Sequence, residues 1–116
     1  MKVLIVDDDE DIRDMLRHMA TRNRMKSYEA ADGAEAIDIL HRKGHKIQAA
    51  IIDLDMPKMN GLELLDHIKA NHPNLVCALH TARDQATHPR ADMIRVKPHG
   101  LSLMTDLQNL VAERQI

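Results

Sequence analysis

The chain has 116 residues, of which 44% are hydrophobic, and a formal net charge of -2. That length supports one domain around a single core, and the near-neutral charge indicates neither a basic nucleic-acid surface nor an acidic tail. With one Tyr, no Trp and no Phe, the core must be built from Leu, Ile, Val, Ala and Met, and the lone Cys77 excludes an internal disulfide.

The amino-terminal stretch "MKVLIVDDD" is too short and too quickly acidic for a signal peptide, and no apolar run reaches membrane-spanning length. A cytoplasmic protein is therefore expected. "KVLIV" at 2–6 reads as a buried strand. Ile12, Met15, Leu16 and Met19 then repeat at helical spacing, with Asp9 and Glu10 suited to the positive end of that helix. "KSYEA" at 26–30 is a weaker strand. "ADGAEA" at 31–36 is a turn and helix start, continued by Ala36, Ile37 and Leu40 and ended by Gly44. That glycine also separates His41 from His45, which argues against a zinc pair.

"AAIID" at 49–53 is the next strand, and Leu62, Leu65 and Ile68 mark the next helix. "LVCALH" at 75–80 and "MIRV" at 93–96 are further strands, with Cys77 read as a buried, inert thiol. Leu103, Leu107, Leu110 and Val111 form the last helical stripe. Short continuous apolar runs suit a parallel sheet covered on both faces, and the alternation implies an open α/β sandwich with right-handed crossovers.

The connection between the fourth and fifth strands departs from this rhythm. Seventeen residues separate Asp7 from Met25 and twenty-one separate Asp53 from Leu75, but only eleven separate Thr81 from Met93. A crossover with its helix needs at least about ten to twelve residues. "ARDQATHPRAD" has no apolar stripe, and Pro89 would break a helix. The helix there is expected to be shortened or absent, leaving an exposed, mobile loop.

Binding sites in open parallel sheets form beyond the carboxyl ends of the strands. Those ends carry Asp7 and Asp8, then Asp53 and Asp55, then His80 and Thr81, then Lys97. The turn through Pro57 to Gly61 should bend away and leave Asp53 exposed at the rim. Clustered carboxylates repel one another and call for a hard divalent cation such as Mg²⁺. Lys97 and Thr81 add a positive charge and a hydroxyl, so the set suits phosphoryl transfer to a carboxylate nucleophile. His80 is expected to be a tolerated surface residue at the pocket's flank.

"VLIVDD", "DLDMPKMNGLELL", "HTAR" and "VKP" occur in that order. Together they resemble the response-regulator receiver domain of two-component signalling, over essentially the whole chain. The resemblance implies a flavodoxin-like (βα)5 fold with a five-stranded parallel sheet ordered 2-1-3-4-5, atypical in the segment after Thr81. It implies Asp53 as phosphoacceptor, and Mg²⁺ held by Asp7, Asp8, Asp53 and the backbone carbonyl of Asp55. Thr81 and Lys97 would contact the phosphoryl group, with a cis Lys97–Pro98 bond orienting the lysine. Asp55 and Arg83 would flank the path of a hydrolytic water. The donor would be a histidine kinase or a histidine phosphotransfer domain, and the output a downstream protein target. Residues 1–116 would be a single receiver domain with no output domain, catalysing only its own phosphorylation and dephosphorylation. A monomer is expected, bound to neither nucleic acid nor membrane. Two positions depart from the family pattern: Ile94 stands where an aromatic switch residue is usual, and His99 where Phe is common.

Two other readings remain open at this stage. One is a pseudo-receiver, an interaction module not regulated by phosphorylation. The other is a haloacid-dehalogenase-type phosphatase, suggested by "IIDLD". That class needs an acidic pair after the lysine, and residues 98–116 hold only Asp106 and Glu113.

Overall fold

The computed structural model describes residues 1–82, 90–97 and 102–114. Five parallel strands form one sheet: β1 (Lys2–Val6), β2 (Lys26–Ala30), β3 (Ala49–Asp53), β4 (Val76–Thr81) and β5 (Met93–Val96). Their spatial order is β2-β1-β3-β4-β5. Four helices accompany them among the described residues: α1 (Glu10–Arg22), α2 (Gly33–Lys43), α3 (Gly61–Asn71) and α4 (Leu103–Arg114). This is the flavodoxin-like order expected from the sequence. None of these helices is long and apolar enough to cross a membrane.

Side-chain alternation along the strands divides the core into two layers. Leu4, Val6, Ala50, Ile52, Cys77 and Leu79 face α2 and α3, where they meet Ala36, Leu40, Leu64, Leu65 and Ile68. Val3, Ile5, Ala49, Ile51, Val76 and Ala78 face α1 and α4, against Leu16, Ala20, Leu103, Met104 and Leu107. Each such Leu or Ile contributes about 1.5–3 kcal/mol by leaving water. The central strands β1, β3 and β4 are covered on both faces. Hence their sequences run apolar without a break.

Each of the first three helices starts on a side-chain cap. Asp9 accepts from the Asp11 amide at 2.9 Å, Asp32 from the Glu35 amide at 2.8 Å, and Asn60 from the Glu63 amide at 3.0 Å. Glu35 in turn accepts from the Ala31 amide at 2.9 Å, which ties the residue before the cap to the first turn of α2. Gly61 is required by contact rather than by dihedral angle. A Cβ there would lie 2.7 Å from Leu54 Cα and closer still to the Asp53 carbonyl oxygen. The Gly61 amide instead donates to the Leu54 carbonyl at 2.8 Å, docking the start of α3 on the end of β3.

Two local expectations change. The fourth strand spans Val76–Thr81, one residue later than its apolar run suggested. Gly44 does follow the end of α2, but not in the left-handed conformation of a glycine cap. Its φ is -55°, and it opens a single 3₁₀ turn. Its missing side chain makes room for the His72 ring, since a Cβ would stand 2.9 Å from His72 Cε1. As for the short fourth crossover, Ala82 and Arg90–Asp92 are not helical, which leaves no room for a helix of the mean length of about eleven residues. The mobile loop foreseen there, and Pro89 within it, fall on residues 83–89, outside the described residues.

Candidate functional site

The strand order reverses direction at β1, because the chain moves first to β2 on one side and then to β3 on the other. A crevice forms outside the carboxyl ends at such a switch. The register sets Val6 beside Ile52, so the next residues, Asp7 and Asp53, stand side by side at the crevice. One carboxylate oxygen from each of Asp7, Asp8 and Asp53 falls within 4.8 Å of the others.

Lys97 reaches this cluster from the end of β5. Its Nζ lies 2.8 Å from Asp7 Oδ2 and 3.1 Å from Asp53 Oδ1. Backbone hydrogen bonds fix the approach: the Lys97 amide donates to the Thr81 carbonyl at 2.6 Å. Thr81, fully buried at the end of β4, thus sits directly beside the lysine. The Asp55 amide donates to Asp53 Oδ1 at a long 3.4 Å, and the Asp9 amide to Asp7 Oδ1 at 2.9 Å.

Burial corrects one expectation. Asp53 is only 5% exposed and Asp7 only 1%, so the strand does not present its carboxylate freely at the rim. Lys97, the helix start at Gly61 and the central position of β3 enclose it, whereas Asp8 remains exposed. His80 is corrected in the same way. It is fully buried, because β4 lies between β3 and β5, and its register partners are Asp53 and Arg95. Ile94 is half-buried and packs against the α2/α3 layer. Arg83, Pro98 and His99 lie outside the described residues.

The electrostatics follow from this enclosure. Burial pushes the Asp53 carboxyl up to about 6, with the neighbouring Asp7 charge adding to the rise and the Lys97 hydrogen bond opposing it. Burial acts to lower the Lys97 ammonium, but its hydrogen bonds to Asp7 and Asp53 more than offset that and raise it. Three carboxylates against one ammonium leave two formal negative charges, which is the charge of one divalent cation. The donors are all hard oxygens, the set that Mg²⁺ prefers. The residues present therefore fit that ion.

One contributor has no mark in the sequence pattern. Arg13, on α1, donates from Nη1 to the Asp7 carbonyl at 2.7 Å and lies 3.7 Å from Glu29 on β2. It ties the acidic loop to the helix that follows. Only its place on the inner side of α1 could have hinted at this.

The family model for the response regulator receiver domain matches residues 3–108. The chain belongs to that family. The receiver domain is 31% identical over 87 residues to the response regulator MprA of Mycobacterium sp. strain KMS, and 32% identical to that of Mycobacterium avium strain 104. In both cases the match covers 75% of this chain and 37% of the relative, so the chain spans little more than a third of the length of these relatives. Among solved structures, the chemotaxis protein CheY4 of Vibrio cholerae superimposes with a TM-score of 0.80 at 28% identity, covering 93% of this chain and 96% of that one. A response regulator receiver domain protein from Clostridium thermocellum gives a TM-score of 0.86 at 21% identity, covering 98% and 96% of the two chains. At that lower identity the likeness speaks for the fold alone.

Proposed function

We propose that this receiver domain takes a phosphoryl group from a phosphohistidine donor onto Asp53, and signals by the protein contacts that follow. The donor class is a histidine kinase or a histidine phosphotransfer domain. One observation carries the reading: Asp53 closes β3 with the Lys97 ammonium 3.1 Å away and with Asp7 and Asp8 oxygens within 4.8 Å.

In the transfer, an Asp53 carboxylate oxygen attacks phosphorus and forms the new P–O bond. The P–N bond to the donor imidazole breaks, and its electron pair stays with the leaving nitrogen, which takes up a proton. At neutral pH an Asp53 carboxyl titrating near 6 is largely ionised and able to attack. Lys97 supplies positive charge to a phosphoryl oxygen, and the Thr81 hydroxyl a hydrogen bond to another. Asp7, Asp8, Asp53 and the Asp55 carbonyl would hold Mg²⁺. Bound there, the ion would supply positive charge against that building on the phosphoryl oxygens during transfer.

Incubation with acetyl phosphate and Mg²⁺, followed by intact-mass measurement, tests this. A single phosphoryl addition is expected, absent from Asp53→Asn. Equal labelling of that variant would remove Asp53 from its role. No labelling from acetyl phosphate or from a phosphohistidine protein would leave the unphosphorylated interaction module as the better reading.

A further inference from the structure

At the opposite edge of the sheet, where the chain re-enters β5, Asp92 gathers three elements. Its Oδ2 accepts from Lys69 Nζ on α3 at 2.7 Å and from the Cys77 amide on β4 at 2.8 Å. Its Oδ1 is paired with Arg114 at the end of α4. Its own amide donates to the Cys77 carbonyl at 2.9 Å, and Lys69 also donates to the Leu75 carbonyl at 2.7 Å. The Asp92 and Lys69 side chains are only 10% and 13% exposed. Surface tolerance does not account for so many enclosed polar contacts on one side chain.

Beyond its ladder with β4, the strand that starts here is held by Met93 in the core and by a half-exposed ion pair from Arg95 to Asp106 on α4 at 3.0 Å. β5 is four residues long, lies at the sheet edge and pairs only with β4. Met93 is buried, but Ile94, Arg95 and Val96 are only partly so. The connection that feeds it is short, and its described ends are not helical. Yet β5 must deliver Lys97 to Asp7 and Asp53. A slip of one residue would turn every side chain of the strand to the other face.

We propose that Asp92 is a positioning residue for the phosphoryl-transfer site, acting through the register of β5 on Lys97. It fixes Met93 beside Ala78, and the ladder then carries Val96 to Thr81 and the Lys97 amide to the Thr81 carbonyl. At about 3.3 Å per residue, Asp92 and Lys97 stand roughly 16 Å apart along the strand, so the effect is transmitted by backbone rather than by contact. This rests on the proposed phosphorylation of Asp53.

The test compares Asp92→Ala with Leu40→Ala, which opens the core under α2, the helix that packs on β1 and β2, and serves as a destabilised control. Both are phosphorylated with acetyl phosphate at saturating Mg²⁺, at a temperature where circular dichroism shows them folded. Asp92→Ala is expected to react at least about tenfold more slowly, as small displacements of reacting groups require, and Leu40→Ala at the wild-type rate. The Lys97 amide should lose exchange protection only in Asp92→Ala. In a Lys97→Ala background, Asp92→Ala should add no further slowing. Asp92→Asn keeps an acceptor for the Cys77 amide and should show a smaller effect of the same sign; it replaces the alanine variant if that fails to fold. A folded Asp92 variant reacting at the control rate overturns the proposal, as does additive slowing in the Lys97→Ala background. If wild-type protein took no phosphoryl group on Asp53, the functional reading would fall. The exchange arm would still decide the clamp: lost protection at Lys97 upholds it, and unchanged protection overturns it.

Discussion

The two edges of the sheet each hold aspartate against lysine, and they titrate in opposite directions. At the carboxyl edge, Asp7 and Asp53 share Lys97, with Asp8 beside them, and the Asp53 carboxyl is pushed up to about 6 by burial with the Asp7 charge adding to it. At the amino edge, burial would likewise raise Asp92, but hydrogen bonds from Lys69, the Cys77 amide and Arg114 hold it below the usual range. Residue type does not set the difference. The balance of charge does: one edge has fewer cations than carboxylates, and the other has two cations on one carboxylate. A cluster short of positive charge is reactive and ready for a cation. A cluster fully supplied is a structural joint.

The largest expected effect comes from breaking the supplied side. Asp92→Ala leaves the Cys77 amide without its acceptor and the Lys69 ammonium without its counter-charge, held by the Leu75 carbonyl alone, and loss of one partner of a buried pair costs about 3–5 kcal/mol. Urea unfolding followed by circular dichroism should show the midpoint fall accordingly. A change under about 0.5 kcal/mol, the range of an exposed pair, would dissolve the contrast between the two edges.

Next in size is the pH response of the deficient side. Because the folded Asp53 carboxyl titrates near 6, against 3.8 for an unperturbed aspartate, the folded state binds its proton more tightly than the unfolded chain. Ionised Asp53 therefore subtracts stability at pH 7, by up to about 3 kcal/mol on the scale of 1.36 kcal/mol per pH unit. That penalty is relieved as pH falls from about 7 to about 4. Asp53→Asn should consequently melt above wild type at pH 7 without metal, and the two melting curves should converge toward pH 4. Asp92 behaves oppositely. Its lowered carboxyl stabilises the fold above the unfolded value of 3.8, and that stability is lost only as pH falls further, through the folded value. A melting temperature for Asp53→Asn below wild type at pH 7 would mean that the Lys97 contact outweighs burial and repulsion.

A smaller and adjustable shift is expected from the cation itself. Mg²⁺ bound only by the folded cluster stabilises by RT ln(1 + [L]/Kd), about 2.7 kcal/mol at one hundred times Kd. The melting temperature should climb with Mg²⁺ concentration in wild type and in Asp92→Asn, and much less in Asp8→Asn. An equal climb in Asp8→Asn would place the cation elsewhere.

These two edges were not equally legible in the sequence. Asp7, Asp8, Asp53 and Lys97 announce themselves because each lies at or within two residues of a strand's carboxyl end, and parallel topology sends all those ends to one side. The same rule could not say that Lys97 bridges Asp7 and Asp53, nor that Asp53 and His80 would be enclosed, since enclosure depends on which strands become central. Asp92 was invisible as a joint. Its partners lie 23, 15 and 22 residues away in sequence, and no periodicity links them. Asp92, Lys69 and Arg114, taken singly, look like solvated surface charges. Helix caps fell between these extremes. Asp9 was readable from the acidic run before an apolar stripe, and Gly44 as the end of α2, but not its role in making space for His72.

Cys77 sits on the joint, its amide on Asp92 and its side chain fully buried in the central strand β4. Burial pushes its thiol up to about 12, so almost no thiolate exists at neutral pH while the strand is closed. An alkylating reagent can then reach the sulfur only through an opening of β4. The single cysteine makes the molecule its own gauge: under native conditions, the speed of thiol trapping reads out how often the middle of the sheet breathes.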